Sequence, residues 1–509
     1  MNNTQLNPMV LLVLALVTGF CFPSLFAEEE NAEAINSYVI KAGKAHLGNG
    51  QTVNDAVIVV RDGRIESVTS GGAAPEGLEV MEVAEVTPGL IDANAKIDVM
   101  DAMLYPTEDP RLTILRALGM EDQYHGGDVC PCGTVCPAQT LHRHDESCLF
   151  CGYPEHDPHA HAHDEEEEEE ELLELKREAM AAGVPGESGL VTDQSSEVVP
   201  QFEIMDGIDH GSKDFDRLLQ EGVTTVYLSP DGSAVIGSRG ATMRTGGPIT
   251  DRFMGTGSVK TVVGSDAYRY GTRNRSPFRG FVSIYTRRPD SRMGVGWVFR
   301  RAFYDALLRA RGLEPTGADK TSAEASRVLQ GVLAGEVPMR IQARTGSDIE
   351  TAFRFAKEFD ISFTLEDPVE AWKRVDLLKE NETPVVFGPI FDQPSGITAG
   401  SREMRNRRLH TVRDLSNAGI PMALSAQDLR GEEGLARQAM LAIRYGVDPA
   451  EALRMVTQYP AQLLGIEKEV GTIEPGRRAD LVCWNGSPFS ALTRIEKVML
   501  DGVLSYERN

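Results

Sequence analysis

With 509 residues, 41% of them apolar, and a formal net charge of −25, this chain can bury a large core but repels the phosphates of nucleic acid. That size suggests two or three structural units. Its seven cysteines are unevenly placed: five crowd between Cys130 and Cys151, and Cys483 stands alone near the far end.

In chain order, Met9 to Phe22 is a mostly apolar run closed by Pro23 and a small-residue exit at Ala27. It is too short to span a bilayer comfortably and predicts a secretory signal over residues 1–27, hence an exported chain with no membrane span once the signal is removed. An uncleaved anchor is the competing reading, because no Lys or Arg precedes the run. Ser37 to Val86 then reads as short strands, with Val57 to Val60 as an apolar run and Asp62-Gly63 as a tight-turn pair. Near the other end, Asp480 to Trp484 and Lys497 to Leu500 repeat that style, which places Cys483 in a strand as a buried thiol. Residues 37–87 and 469–509 are thus predicted to build one composite β-sandwich from both termini.

Between them, residues 88–468 alternate apolar strands with helical stretches. Candidate strands are Thr224 to Leu228, Pro338 to Ala343, Ile361 to Leu365, Pro384 to Gly388 and Pro421 to Leu424. Asp348 to Phe359 and Glu370 to Glu380 have the helical pattern. The fold class is therefore α/β, and this many units in one domain favours a closed TIM-type (β/α)8 barrel over an open sheet. Gly237 to Gly240 reads as a tight loop after a barrel strand rather than a phosphate cradle. Residues 120–195 break the rhythm with five cysteines, seven of the ten histidines and an acidic block from Asp164 to Glu171. They read as an insertion over the barrel mouth.

Four segments carry a family resemblance. These are Pro88-Gly89-Leu90-Ile91-Asp92, Gly222-Val223-Thr224-Thr225-Val226, Tyr459 to Gly465 and Gly471 to Val482. In this order and spacing the chain resembles the amidohydrolase superfamily, especially its imidazolonepropionase-like members. The resemblance implies a barrel with a composite β-sandwich, and hydrolysis, most often of C–N bonds, by water activated on one or two divalent metals. It also implies paired histidines after the first barrel strand, where this chain has Asn94 and Lys96. The next expected histidine falls at Gln342 or Arg344, a further one at Asp367, and the final aspartate at Gln427 or, with a one-residue slip, Asp428. A protonated lysine cannot coordinate and a guanidinium repels a cation, so no barrel-centre metal is expected.

Lys96 and Arg344 are instead expected to converge with Asp367 and Asp428 as ion pairs in the space of the missing ions, against the alternative of independent solvent-facing charges. His46, His210 and His410 follow none of these strands and read as ordinary residues. Arginines crowd from Arg269 to Arg301, for which internal pairing is favoured over recognition of an anionic substrate. In the insertion, Cys132, Cys136, Cys148 and Cys151, with His142 and His144 as further donors, have spacing that suits one tetrahedral zinc. Export to an oxidising compartment favours disulfides equally. The expectation is a barrel that binds a small-molecule ligand at its mouth, or acts as a scaffold, without ordinary metal hydrolysis. The alternative is a C–N bond hydrolase on a rebuilt site, with Asp367, Asp428 and Lys96 as catalytic residues.

Overall fold

The computed structural model describes residues 37–97 and 196–508, except 231, 233, 270–288, 290, 391–402 and 404–405. The signal over residues 1–27 and the insertion, with all six of its proposed zinc ligands, lie outside the described residues.

The N-terminal strands are β1 (Tyr38–His46), β2 (Thr52–Arg61), β3 (Arg64–Ser70) and β4 (Glu79–Pro88). They join β13 (Leu481–Trp484), β14 (Ile495–Leu500) and β15 (Val503–Glu507) in one seven-stranded sheet, ordered β15-β14-β13-β4-β1-β2-β3. Asp62 and Gly63, both at positive φ, form the turn between β2 and β3. The sheet folds back on itself: Ile65 N donates to Arg477 O at 2.9 Å and Ala479 N to Gly63 O at 2.8 Å. Ile40, Ile58, Val86, Leu481 and Met499 fill the enclosed core. Cys483 is buried among them, and burial pushes its thiol up to about 12.

The barrel strands are β5 (Leu90–Ala95), β6 (Val223–Leu228), β7 (Ile236–Arg244), β8 (Phe253–Val262), β9 (Met339–Gln342), β10 (Thr364–Glu366), β11 (Val385–Phe387) and β12 (Met422–Leu424). They pair in sequence order from β5 to β12. Helices α1 (Lys213–Gln220), α2 (Arg292–Ala310), α3 (Ala323–Leu333), α4 (Gly346–Phe359), α5 (Val375–Glu380), α6 (Thr411–Asn417), α7 (Leu435–Arg444), α8 (Pro449–Arg454) and α9 (Gln458–Leu464) punctuate them. Their starts are locally encoded: Ser212, Ser291, Ser322, Thr345 and Asp448 each accept a first-turn backbone N–H.

The eight-stranded TIM-type architecture stands, with one departure from uniform strand direction. Strand β7 runs antiparallel to both β6 and β8, so hairpins replace two helical crossovers. The expected loop at Gly237 to Gly240 is therefore corrected: these residues lie inside β7. Gly240 and Gly257 are needed because a Cβ at either would run into the Tyr227 ring.

The seam between β5 and β12 is closed largely by side chains. Asp92 accepts Asn94 N and Ala426 N, both at 2.9 Å, Ser425 Oγ donates to Asn94 O at 3.1 Å, and Lys96 N donates to Gln427 O at 3.1 Å. The run Asp92-Ala93-Asn94 thus serves as a structural clasp.

Candidate functional site

Two tiers of charge occupy the barrel. In the lower one, Lys260 on β8 forms a short ion pair with Glu366 on β10, and Arg340 on β9 donates to the other oxygen of Glu366 at 3.0 Å. Arg340 also donates to Ala93 O at 2.6 Å and lies 3.6 Å over the ring of Tyr227 on β6. Contacts between strands that are not neighbours can meet only across the barrel interior. These charged side chains are at most 4% exposed, so water screens none of them.

Nε and one terminal nitrogen of Arg340 lack hydrogen-bond partners, and the Tyr227 π-face is the compensation on hand. Burial pushes the Lys260 ammonium down, against the pull of Glu366. Burial would raise Glu366, yet Lys260 and Arg340 hold it below the usual carboxylate range.

The upper tier sits at the C-terminal ends of the strands, where barrel sites are built. Arg344, just past β9, bridges two carboxylates: Nε to Asp367 at 2.5 Å and a terminal nitrogen to Asp266 at 2.5 Å. Glu403 approaches the same guanidinium at 3.7 Å and also pairs with Arg292, the first residue of α2, at 2.7 Å. Gln342 donates to Asp266 at 2.9 Å.

The two bridged aspartates respond oppositely. Burial raises Asp367 despite Arg344, whereas Arg344 and Gln342 outweigh burial at Asp266 and hold it low. The more exposed Asp266 side chain, 20% against 10%, accounts for that asymmetry. Asp367 (φ 51°) and Gln427 (φ 55°) both adopt left-handed backbone, a strain that side-chain-bearing residues rarely accept.

Of the expected site residues, Arg344 and Asp367 come together. Asp428 does not join them: it is exposed and, among the described residues, pairs with no cation. The residue before it, Gln427, points inward and donates to Gly388 O at 3.0 Å. Lys96 is half-buried and makes no ion pair among the described residues, although its charge reaches Asp266, Asp367 and Lys260. Sequence reasoning missed Lys260, Arg340, Glu366, Asp266 and Glu403. A usable signal existed for three of them, a charge next to an apolar neighbour in a strand: Val259-Lys260, Met339-Arg340-Ile341 and Leu365-Glu366.

His46 pairs with Glu85 at 2.6 Å in the small sheet and His410 precedes α6, both away from barrel-strand ends. The described arginines of the crowded stretch pair internally, as Arg292 with Asp348, Arg300 with Glu358 and Arg301 with Asp305. Beneath the loop after β12, Asp92, Asp214 and Glu221 surround Arg430, and Glu221 accepts Gly431 N at 2.5 Å.

Residues 340–504 match the family model described as Amidohydrolase family. Over that stretch, about a third of its length, the chain is similar to the amidohydrolase family. It is 28% identical over 183 residues to the N-substituted formamide deformylase of Arthrobacter pascens, covering 32% of this chain and 33% of that protein. It is 34% identical over 97 residues to the imidazolonepropionase of Sphingopyxis alaskensis, covering 18% and 24% respectively. These matches therefore span a third or less of the relatives' own length. An amidohydrolase structure from Thermotoga maritima MSB8 aligns over 92% of this chain and 100% of its own at a TM-score of 0.65 and 22% identity, which shows a common fold.

The divalent metals that such a barrel implies do not fit the residues present. Among the described residues, no three His, Cys, Asp or Glu side chains group closely enough to hold a metal ion. One oxygen of Asp266 and one of Asp367 are each engaged by Arg344, a fixed cation. Asn94 offers one buried carboxamide oxygen without a hydrogen-bond partner, a single weak donor where paired imidazoles would be needed. Near Asp367, Phe387 and Arg408, a cavity of 30 Å³ has room for about one water.

Proposed function

We propose that this chain is an exported amidohydrolase-superfamily barrel that does not perform metal-activated hydrolysis and instead binds a small ligand at its mouth or serves as a scaffold. One observation carries the reading: Arg344 sits between Asp266 and Asp367, so a guanidinium supplies the positive charge that a dication would supply in a hydrolytic relative. A fixed guanidinium between the two carboxylates repels an added dication from the space it fills. Any zinc the protein carries belongs, on this reading, to Cys132, Cys136, Cys148 and Cys151 or the neighbouring histidines. The apolar run near the N-terminus supports export.

The test is elemental analysis of the purified full chain beside a variant with those four cysteines changed to serine. Metal that disappears with the cysteines supports the proposal. Stoichiometric metal that survives their removal, with turnover of an amide or cyclic amide, would establish the alternative of a C–N hydrolase on a rebuilt site. That alternative draws its support from the similarity to hydrolases and from Asp367, whose raised proton affinity suits acid–base work.

A further inference from the structure

Helix α2 is apolar on both sides. Its inner side stacks Phe299 on Phe355 at 4.3 Å and packs Phe303 against Phe359 at 4.9 Å. Its outer side carries Met293 (85% exposed), Trp297 (52%), Tyr304 (49%) and Leu308 (37%). Spacings of four, seven and four residues keep these side chains in one stripe of a 3.6-residue helix. A run of large apolar side chains on the solvent side of a helix marks a candidate contact surface. Aromatic side chains bring 150–250 Å² each, so the stripe exposes roughly 500 Å². A stable dimer buries about 800 Å² per partner, so the stripe would form most of one interface, with Leu313 and the polar flanks completing it.

We infer that the outer face of α2 is the interface of a two-fold homodimer in which the helices of two copies pack antiparallel. The spacing selects this occupant because it is palindromic about the Arg300–Arg301 bond. A two-fold axis there sets Met293 against the partner's Leu308 and Trp297 against the partner's Tyr304, an isologous, self-complementary contact. Arg300 and Arg301 flank the axis: Arg301 pairs with Asp305 at 3.2 Å, and Arg300 is neutralised by Glu358 at 2.8 Å, which also accepts the Tyr304 hydroxyl at 2.9 Å. Two copies therefore bring together a neutral quartet instead of two bare guanidiniums. The same helix begins at Arg292 in the mouth network, so the interface runs alongside the candidate site.

Sedimentation equilibrium of the full chain across a dilution series tests this. The expected result is a dimer whose dissociation constant rises by more than ~30-fold in Trp297→Glu, as for a central aromatic anchor, with an unchanged circular dichroism spectrum. Met293→Glu, at the most exposed position, serves if Trp297→Glu fails to fold. Mixing single variants Met293→Cys and Leu308→Cys should yield an inter-chain disulfide above the wild-type background that neither variant forms alone. A chain that is monomeric throughout the series overturns the inference. So does a dimer that tolerates both glutamates, or cross-linking of either cysteine variant with itself.

Discussion

The small sheet and the barrel interior solve the same packing problem with opposite materials. The sheet encloses aliphatic side chains and one inert thiol. The barrel, larger and closed, buries Lys260, Arg340 and Glu366 where inward-facing branched residues usually fill layers. An apolar core tolerates truncation in proportion to the volume removed, whereas a buried ionic set fails when one member goes. The contrast extends within the barrel, since the upper tier around Arg344 is partly open to water and is correspondingly weaker.

Breaking the lower tier should have the largest effect. Glu366→Leu strands two cations in a dry interior and should cost about 3–5 kcal/mol in urea unfolding. Changing the whole set, with Lys260→Met, Arg340→Met and Glu366→Leu together, should recover most of that loss. If the triple variant is as unstable as the single one, shape around Tyr227 matters more than charge. Arg344→Gln should cost less, about 2 kcal/mol, because its carboxylates can draw on solvent at the mouth.

A smaller effect sharpens the comparison through pH. Burial raises Glu221 from its ordinary 4.5 to about 7, with Asp214 and Asp92 adding to the rise and Arg430 and the Gly431 amide opposing it. The folded state thus holds a proton that the unfolded chain has already lost. The resulting stability is fully present below about 4.5 and disappears as pH climbs through about 7. Urea midpoints of wild type should fall across that window, while Glu221→Gln, which keeps an acceptor for Gly431 N, should show a shallower slope. Lys96→Met should change stability least, within ~0.5 kcal/mol, because no described carboxylate pairs with it. A larger loss would reveal a partner for Lys96 outside the described residues.

Much of the fold was legible. Val223–Leu228, Met339–Gln342 and Met422–Leu424 fall where apolar runs predicted strands, and α4 where the periodicity predicted a helix. The β7–β8 hairpin was not, because Gly237 to Gly240 read as loop chemistry. The bulk of Tyr227 explains why Gly240 and Gly257 lack side chains; Gly237 and Gly255 have no such neighbour. The site was half legible. Arg344 and Asp367 were named from their places at strand ends, but the choice between Gln427 and Asp428 was not decidable. A one-residue slip reverses which of two successive side chains faces inward.

Residue identity alone determined the two-domain α/β plan and the absence of histidines at the barrel-strand ends, because apolar periodicity and ligand chemistry are local properties. Which charges meet was decided only by closure of the barrel. Lys260 and Glu366 are 106 positions apart in the chain, yet form one ion pair across a buried interior. No spacing rule encodes that meeting; it exists because strands that are not neighbours face one another once the sheet curls shut.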